Sequence, residues 1–209
     1  MQHPQPAPQR PELEFWFEFG SNYSYLALMR IEALTRPSGV ALRWRPFLLG
    51  PIFRQLGWSS SPFVLQEAKG RYMWRDIERE ARKYGLPFVR PSVFPRVALL
   101  PMRVATLGAD EPWMGDFCRR VMHQNWVEDL DIDDRGQVLR ALDGLVADPQ
   151  AVLARALLEP NKLRLRASTE EAQARGIFGA PTMFVGDEMF WGNDRLEDAV
   201  AWAAAAAPT

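Results

Sequence analysis

Phe15-Trp16-Phe17-Glu18-Phe19-Gly20-Ser21-Asn22-Tyr23-Ser24-Tyr25-Leu26-Ala27 is an apolar run that stops at a small polar cluster and restarts with helical spacing. It reads as strand, tight turn and helix. The strand is predicted over 13–19. The helix is predicted over 22–36, where Tyr25, Leu26, Leu28, Met29, Ile31 and Leu34 form a wide apolar stripe that ends at Pro37-Ser38-Gly39. Val40 to Pro46 then alternates like a strand closed by proline, which completes a β-α-β unit. The turn between the first strand and its helix aims unpaired N–H groups and the positive end of a helix dipole at whatever occupies it, so an anion or thiolate held there is stabilised. Ser21 stands at that place.

Working outward, a short helix is predicted to finish at Leu56-Gly57, followed by a loop over Trp58 to Pro62. From about residue 65 to 174 the periodicity is helical, broken at Gly85-Leu86-Pro87, Arg90-Pro91, Gly108 to Pro112, Asp131 to Gly136 and Asp148-Pro149. Asp148 is read as the cap of a helix that begins at Pro149. Strands return after Gly179, as Thr182 to Val185, a turn at Gly186-Asp187, and Glu188 to Trp191, with a helix opening at Asn193 or Asp194. Pro181 directly precedes a strand, a position suited to a cis bond that leaves neighbouring backbone groups free for a ligand. The expected organisation is a tail over 1–12, one α/β domain assembled from 13–50 and 175–205, and an all-helical domain over 51–174 inserted between the β-α-β and β-β-α units.

Composition narrows the function. The 209 residues are 47% hydrophobic and 24% charged, enough to bury a full core, and the net charge of −1 supplies no field for nucleic acid or an anionic membrane. The bases of Arg71 to Lys83 are interrupted by Asp76, Glu78 and Glu80, the pattern of a solvated helix face. No segment has the length and apolarity of a membrane span, and Met1 to Pro11 is proline- and glutamine-rich rather than a signal peptide, so its expected state is disorder. The Ala203 to Ala207 run is read as a fraying helix end. A single cysteine, Cys118, excludes an intramolecular disulfide and any cysteine-built metal cluster, and fits a reducing cytoplasm. It lies among Phe117, Val121 and Met122 and reads as a packed, inert thiol. With two histidines far apart no metal-ligand spacing exists, and His123 has no carboxylate paired with it in sequence, so it is read as a core or surface residue.

The polar candidates each carry two readings. Ser21 or Ser24 caps the helix, or Ser21 holds a thiolate; Asn193 and Asp194 cap a second helix start, or grip the charged ends of a peptide. Lys69 is an exposed helix lysine, or it faces an anionic substrate group. Tyr72 and Trp74 pack into the helical core, or line a pocket.

The two ends of the chain together resemble a thioredoxin-type fold. In place of the two cysteines that dithiol exchange needs, however, stand Ser21-Asn22-Tyr23-Ser24, so disulfide oxidoreductase chemistry is excluded. More specifically, the chain resembles the 2-hydroxychromene-2-carboxylate isomerase family, relatives of kappa-class glutathione transferases within the DsbA-like thioredoxin superfamily. The likeness rests on Phe19 to Ala27, Arg45-Pro46-Phe47-Leu48-Leu49-Gly50, Lys69-Gly70-Arg71-Tyr72-Met73-Trp74-Arg75-Asp76, Phe178-Gly179-Ala180-Pro181-Thr182 and Phe190-Trp191-Gly192-Asn193-Asp194-Arg195-Leu196, in that order. The resemblance implies a glutathione site. In it Ser21 bonds the glutathione sulfur, Ala180 before a cis Pro181 pairs with the cysteinyl backbone, and Asn193 with Asp194 holds the γ-glutamyl end. Tyr23, Lys69 and Tyr72 are the candidates for the substrate side. It further implies isomerisation of an aromatic α-keto acid or its cyclic hemiketal, a place in aromatic compound degradation, and a homodimer. Two departures stand out: Asn22 replaces the usual proline, and Arg96-Val97 stands where an asparagine follows the family's Phe-Pro. Alternatives are a kappa-like transferase or peroxidase acting on hydrophobic electrophiles, and a non-catalytic thioredoxin-fold binding module that holds a peptide or partner.

Overall fold

A computed structural model describes residues 11–206; most of the predicted tail and the last residues of the chain lie outside it. Four strands form one mixed sheet in the order β2-β1-β3-β4, with β1 at Glu12–Phe17, β2 at Ala41–Pro46, β3 at Thr182–Val185 and β4 at Glu188–Trp191. β1 and β2 are parallel with Phe15 opposite Trp44, while β1–β3 and β3–β4 are antiparallel. The parallel pair requires a crossover, supplied by α1 at Asn22–Thr35. β1 is central, and both of its faces are covered. Leu13, Phe15 and Phe17 enter the main core with Trp44 and Tyr25, while Trp16 points the other way into a smaller cluster with Phe47, Ile52, Ile177 and Phe184. These β1 side chains are fully buried, each contributing roughly 1.5–3 kcal/mol through the hydrophobic effect.

Between β2 and β3 run α2 (Leu49–Gln55), α3 (Pro62–Leu65), α4 (Glu67–Lys83), α5 (Leu99–Leu107), α6 (Met114–Trp126), α7 (Arg135–Leu142), α8 (Pro149–Ala156) and α9 (Glu159–Ala174). The predicted cap is present: Asp148 Oδ1 accepts the Ala151 N–H at 3.0 Å. α1 packs against α6 and against α10 (Leu196–Ala205), which follows a single 3₁₀ turn over Asn193–Arg195.

Three expectations shift. Strand pairing stops at Phe17 rather than at residue 19, because the Phe19 carbonyl turns to accept Asn125 Nδ2 at 3.0 Å and Trp126 Nε1 at 3.2 Å from α6. Residues 86–98 hold no helix: prolines at 87, 91 and 95 each remove a backbone donor, and Phe88 and Phe94 instead pack their rings on Trp74 and Trp126. A further break, at Leu157-Leu158, separates α8 from α9 just ahead of Pro160.

Candidate functional site

The turn after β1 is closed by the Ser21 N–H donating to the Glu18 carbonyl at 3.1 Å. Ser21 is extended (φ −89°, ψ 118°), and its Oγ accepts the Ser24 N–H at 3.1 Å, so it is Ser21 that caps α1. The first turn of α1 contains no acidic side chain, leaving its positive end uncompensated. The Ser21 hydroxyl proton is directed across 159 residues of sequence to the Ala180 carbonyl, at 2.8 Å. Thus the two ends of the chain meet at one hydrogen bond. The Ala180-Pro181 peptide is cis, and the buried Pro181 accepts the Gly192 N–H at 3.0 Å, which ties the last loop to the same point.

A cleft opens here in two connected lobes. One, about 540 Å³, is bordered by Glu18, Ser21, Phe53, Trp58, Phe94 and Val97. The other, about 450 Å³, is bordered by charged and polar groups, among them Asp76, Glu80, Lys83, Asn193 and Asp194. Tyr23, Phe63, Lys69, Ala180 and Trp191 line both, so they mark the junction. Trp191 reaches it by lying over Gly179, where a methyl group would sit 2.5 Å from its Nε1. A larger and more open groove of about 770 Å³, between Glu32, Arg36, Arg43 and Asp110, shares no residue with this cleft.

Of the predicted residues, Ser21, Tyr23, Lys69, Tyr72, Ala180, Asn193 and Asp194 all line the cleft, while Pro181 supports it from behind. Their states differ. The Tyr23 hydroxyl donates to Asp76 Oδ2 at 2.8 Å, and burial with that carboxylate pushes its pKa up, so it stays protonated. Lys69 is exposed, with Nζ 5.8 Å from the centre of the Phe63 ring. Tyr72 does not pack into the helical core: α4 buries Gly70, Met73, Trp74, Ile77 and Ala81, leaving Tyr72 at the polar rim, while Trp74 is core. Asn193 is buried with its amide committed, Oδ1 accepting Arg30 Nη2 at 2.9 Å; Asp194 remains exposed beside it. The Asn22 amide reaches Met73 Sδ and leaves Ser21 undisturbed. Cys118 is fully buried and its thiol pKa is raised by burial, whereas His123, outside the cleft, does meet a carboxylate, Glu128, at 3.1 Å.

Sequence reasoning missed Glu18. It borders the apolar lobe, its carboxyl takes the Gly20 N–H, and burial pushes its pKa up to about 7 from the ordinary 4.5. The available signal was one acid within Phe15-Trp16-Phe17-Glu18-Phe19, three residues before Ser21. Among the described residues no three His, Cys, Asp or Glu side chains gather as a metal site, and no helix is long and apolar enough to cross a membrane.

Comparison with known proteins agrees with this fold. A family model described as a DSBA-like thioredoxin domain matches residues 12–201. The 2-hydroxychromene-2-carboxylate isomerase of Sphingobium xenophagum is 30% identical over 187 residues, spanning 88% of this chain and 94% of that protein. Glutathione S-transferase kappa 2 of Caenorhabditis elegans is 29% identical over 206 residues, or 90% of each chain. A solved structure of a 2-hydroxychromene-2-carboxylate isomerase superposes with a TM-score of 0.82 at 27% identity, covering 91% of this chain and 93% of the other.

Proposed function

The chain belongs to the DsbA-like thioredoxin-domain family and, within it, to the family of the 2-hydroxychromene-2-carboxylate isomerases, and on that premise we propose that it is a glutathione-dependent isomerase of aromatic α-keto acids and their cyclic hemiketals. The observation that carries this reading is the Ser21–Ala180 hydrogen bond at the cleft, beside the start of α1. When bound there, glutathione supplies a thiol nucleophile that adds reversibly to the conjugated double bond, allowing it to rotate.

The residues present fit that group. Glutathione is a short peptide carrying carboxylates and one ammonium. The polar lobe, about 450 Å³, is within the usual size of a small-ligand site and offers Lys83 to the former and Asp194 to the latter. On this reading the Ala180 backbone pairs with the cysteinyl unit, and Asn193 acts by shaping the loop that presents Asp194. Ser21 now bonds a neutral carbonyl; turning its proton to a sulfur anion exchanges that bond for a charge-assisted one, roughly twice as strong. With the N-terminus of α1 behind it, this lowers the thiol pKa from about 8.5 towards neutrality. On the other side, Phe53, Trp58, Phe63, Phe94 and Trp191 give the apolar lobe aromatic walls for a planar substrate, with Lys69 and Tyr23 where it joins the polar lobe. The chain assembles, on this reading, as a homodimer, a state that sedimentation measures.

The decisive experiment is calorimetric titration with reduced glutathione, wild type beside Ser21→Ala, with thiolate absorbance followed through neutral pH. Binding with an ionised thiol, weakened and shifted to higher pH by Ser21→Ala, is the expected result. No heat at millimolar ligand overturns the reading. Glutathione recovered unchanged after turnover supports the isomerase; its consumption one-for-one as conjugate would favour the kappa-like transferase, to which a relative is similarly close.

A further inference from the structure

Glu18 is an ionisable group of the apolar lobe that the reaction above leaves unused. It lies between Phe17 and Phe19, both fully buried, and its side chain folds back over the turn: a methyl group on Gly20 would stand 3.2 and 3.3 Å from its two carboxyl oxygens, and 2.9 Å from the Arg96 carbonyl. The carboxyl therefore forms part of the apolar wall beside the residue next to Ser21. Its donor is the Gly20 N–H.

The other ionisable groups around this lobe are occupied or distant. Tyr23, from α1, is bonded to Asp76; Lys69, from α4, is drawn to the Phe63 ring. Arg96, from the loop opposite, is 7% exposed in its side chain and spends its guanidinium on Asp129 at 2.7 Å, Asn125 at 3.1 Å and Ser92 at 3.3 Å. Among the described residues no basic side chain neutralises Glu18. Such a carboxyl, uncompensated in a wall of aromatic rings, has both protonation states accessible near pH 7.

We propose that Glu18 is the proton-transfer group that opens and closes the hemiketal ring of the substrate in the apolar lobe. This rests on the isomerase reading above. In a cyclic hemiketal the hydroxyl and the ring oxygen sit on one carbon, so a single carboxyl spans both. Glu18 carboxylate takes the hydroxyl proton, and the O–H electron pair forms the ketone C=O. The bond from that carbon to the ring oxygen breaks, its pair stays on the aryl oxygen, and the proton passes from Glu18 to that oxygen to give a phenol. Ring closure runs the same steps backwards. No redox change or further reactant is involved.

The test compares wild type, Glu18→Gln and Glu18→Asp on two substrates: the hemiketal, and an open-chain keto acid methylated on its phenol so that no ring can form. For Glu18→Gln the loss in kcat/KM on the hemiketal is expected to reach about 10²-fold or more. The loss on the methylated acid is expected to be far smaller, and Glu18→Asp to recover part of the hemiketal rate. The limb of the pH profile near 7 is expected to vanish in Glu18→Gln. Independently of turnover, a ¹³C-labelled glutamate carboxyl titrating near pH 7 should be present in wild type and missing from Glu18→Gln, while calorimetry shows both proteins binding glutathione. Equal losses on the two substrates, a persisting pH limb, or no such resonance would overturn the role of Glu18 and leave the isomerase standing. A wild type inactive on both substrates would overturn the two together.

Discussion

Glu18 makes a statement about stability as well as chemistry. Its folded pKa of about 7 lies above the 4.5 of a solvated glutamate because burial disfavours the carboxylate. Between those values the folded protein holds a proton that the unfolded chain has released, so its contribution is fully present below about pH 4.5 and is lost as pH rises through 7. The cumulative loss is on the order of 3 kcal/mol. Glutamine has the shape of the protonated acid and no titration. Glu18→Gln should therefore match wild type at pH 4.5 and exceed it by a margin that grows to roughly 3 kcal/mol above pH 7. Urea unfolding of both proteins across that range measures the gap. A gap independent of pH would mean that the carboxyl is solvated in the folded state. That residue was illegible in the sequence for a physical reason: one acid in an apolar strand also reads as a side chain turned to water, and only the fold of the Gly20 turn shows that it turns to the cleft. Ser21 was legible as the cap of α1 because that place follows from local geometry, a hydroxyl at the junction of strand and helix.

Elements held by local contacts are legible in the sequence. The β-α-β unit, the β3–β4 hairpin and the Asp148 cap all follow from spacing and turn chemistry within short windows. Segments whose conformation distant partners decide are not legible in that way. Residues 86–98 keep the apolar content of a helix but serve as a proline-spaced strap whose Phe88 and Phe94 fill the space between Trp74 and Trp126. Likewise, no local signal joins Asn193 to Arg30, 163 residues away. Arg30 links α1 to the last loop: it stacks 3.5 Å over the Tyr84 ring, bonds the Asn193 amide, and pairs with Glu197 of α10. Replacing it with alanine leaves the buried Asn193 oxygen without its donor, at about 1–3 kcal/mol of stability. Arg30→Lys should rescue little, since one ammonium cannot stack and bridge as the planar fork does. If the loop holds the γ-glutamyl end of glutathione, Arg30→Ala also weakens glutathione binding about tenfold, while the pH limb assigned to Glu18 stays where it was. Calorimetry separates the effects: lower stability with an unchanged Kd would remove that loop from the peptide site.

In the whole molecule the cleft belongs to neither the sheet nor the helical segment alone. α6 holds the end of β1 through two bonds to the Phe19 carbonyl, and Arg96 joins α6 to the turn by bonding Asn125 while its own carbonyl abuts Gly20. One buried cluster runs from Phe15, Phe17 and Trp44 of the sheet to Trp74, Phe117, Trp126, Leu142 and Leu153 of the helices. A helical insertion at 51–174 with a core of its own would be free to melt separately; a shared core makes partial melting expose apolar surface on both sides of the seam. Unfolding followed by tryptophan fluorescence and by helical circular dichroism should accordingly give coincident transitions. Glutathione bound at the seam should move both together, by about 2.7 kcal/mol at a concentration one hundred times its Kd. A shift in the fluorescence transition with the helical one left behind would place the ligand on the sheet alone, and would require a cleft whose two walls are energetically independent.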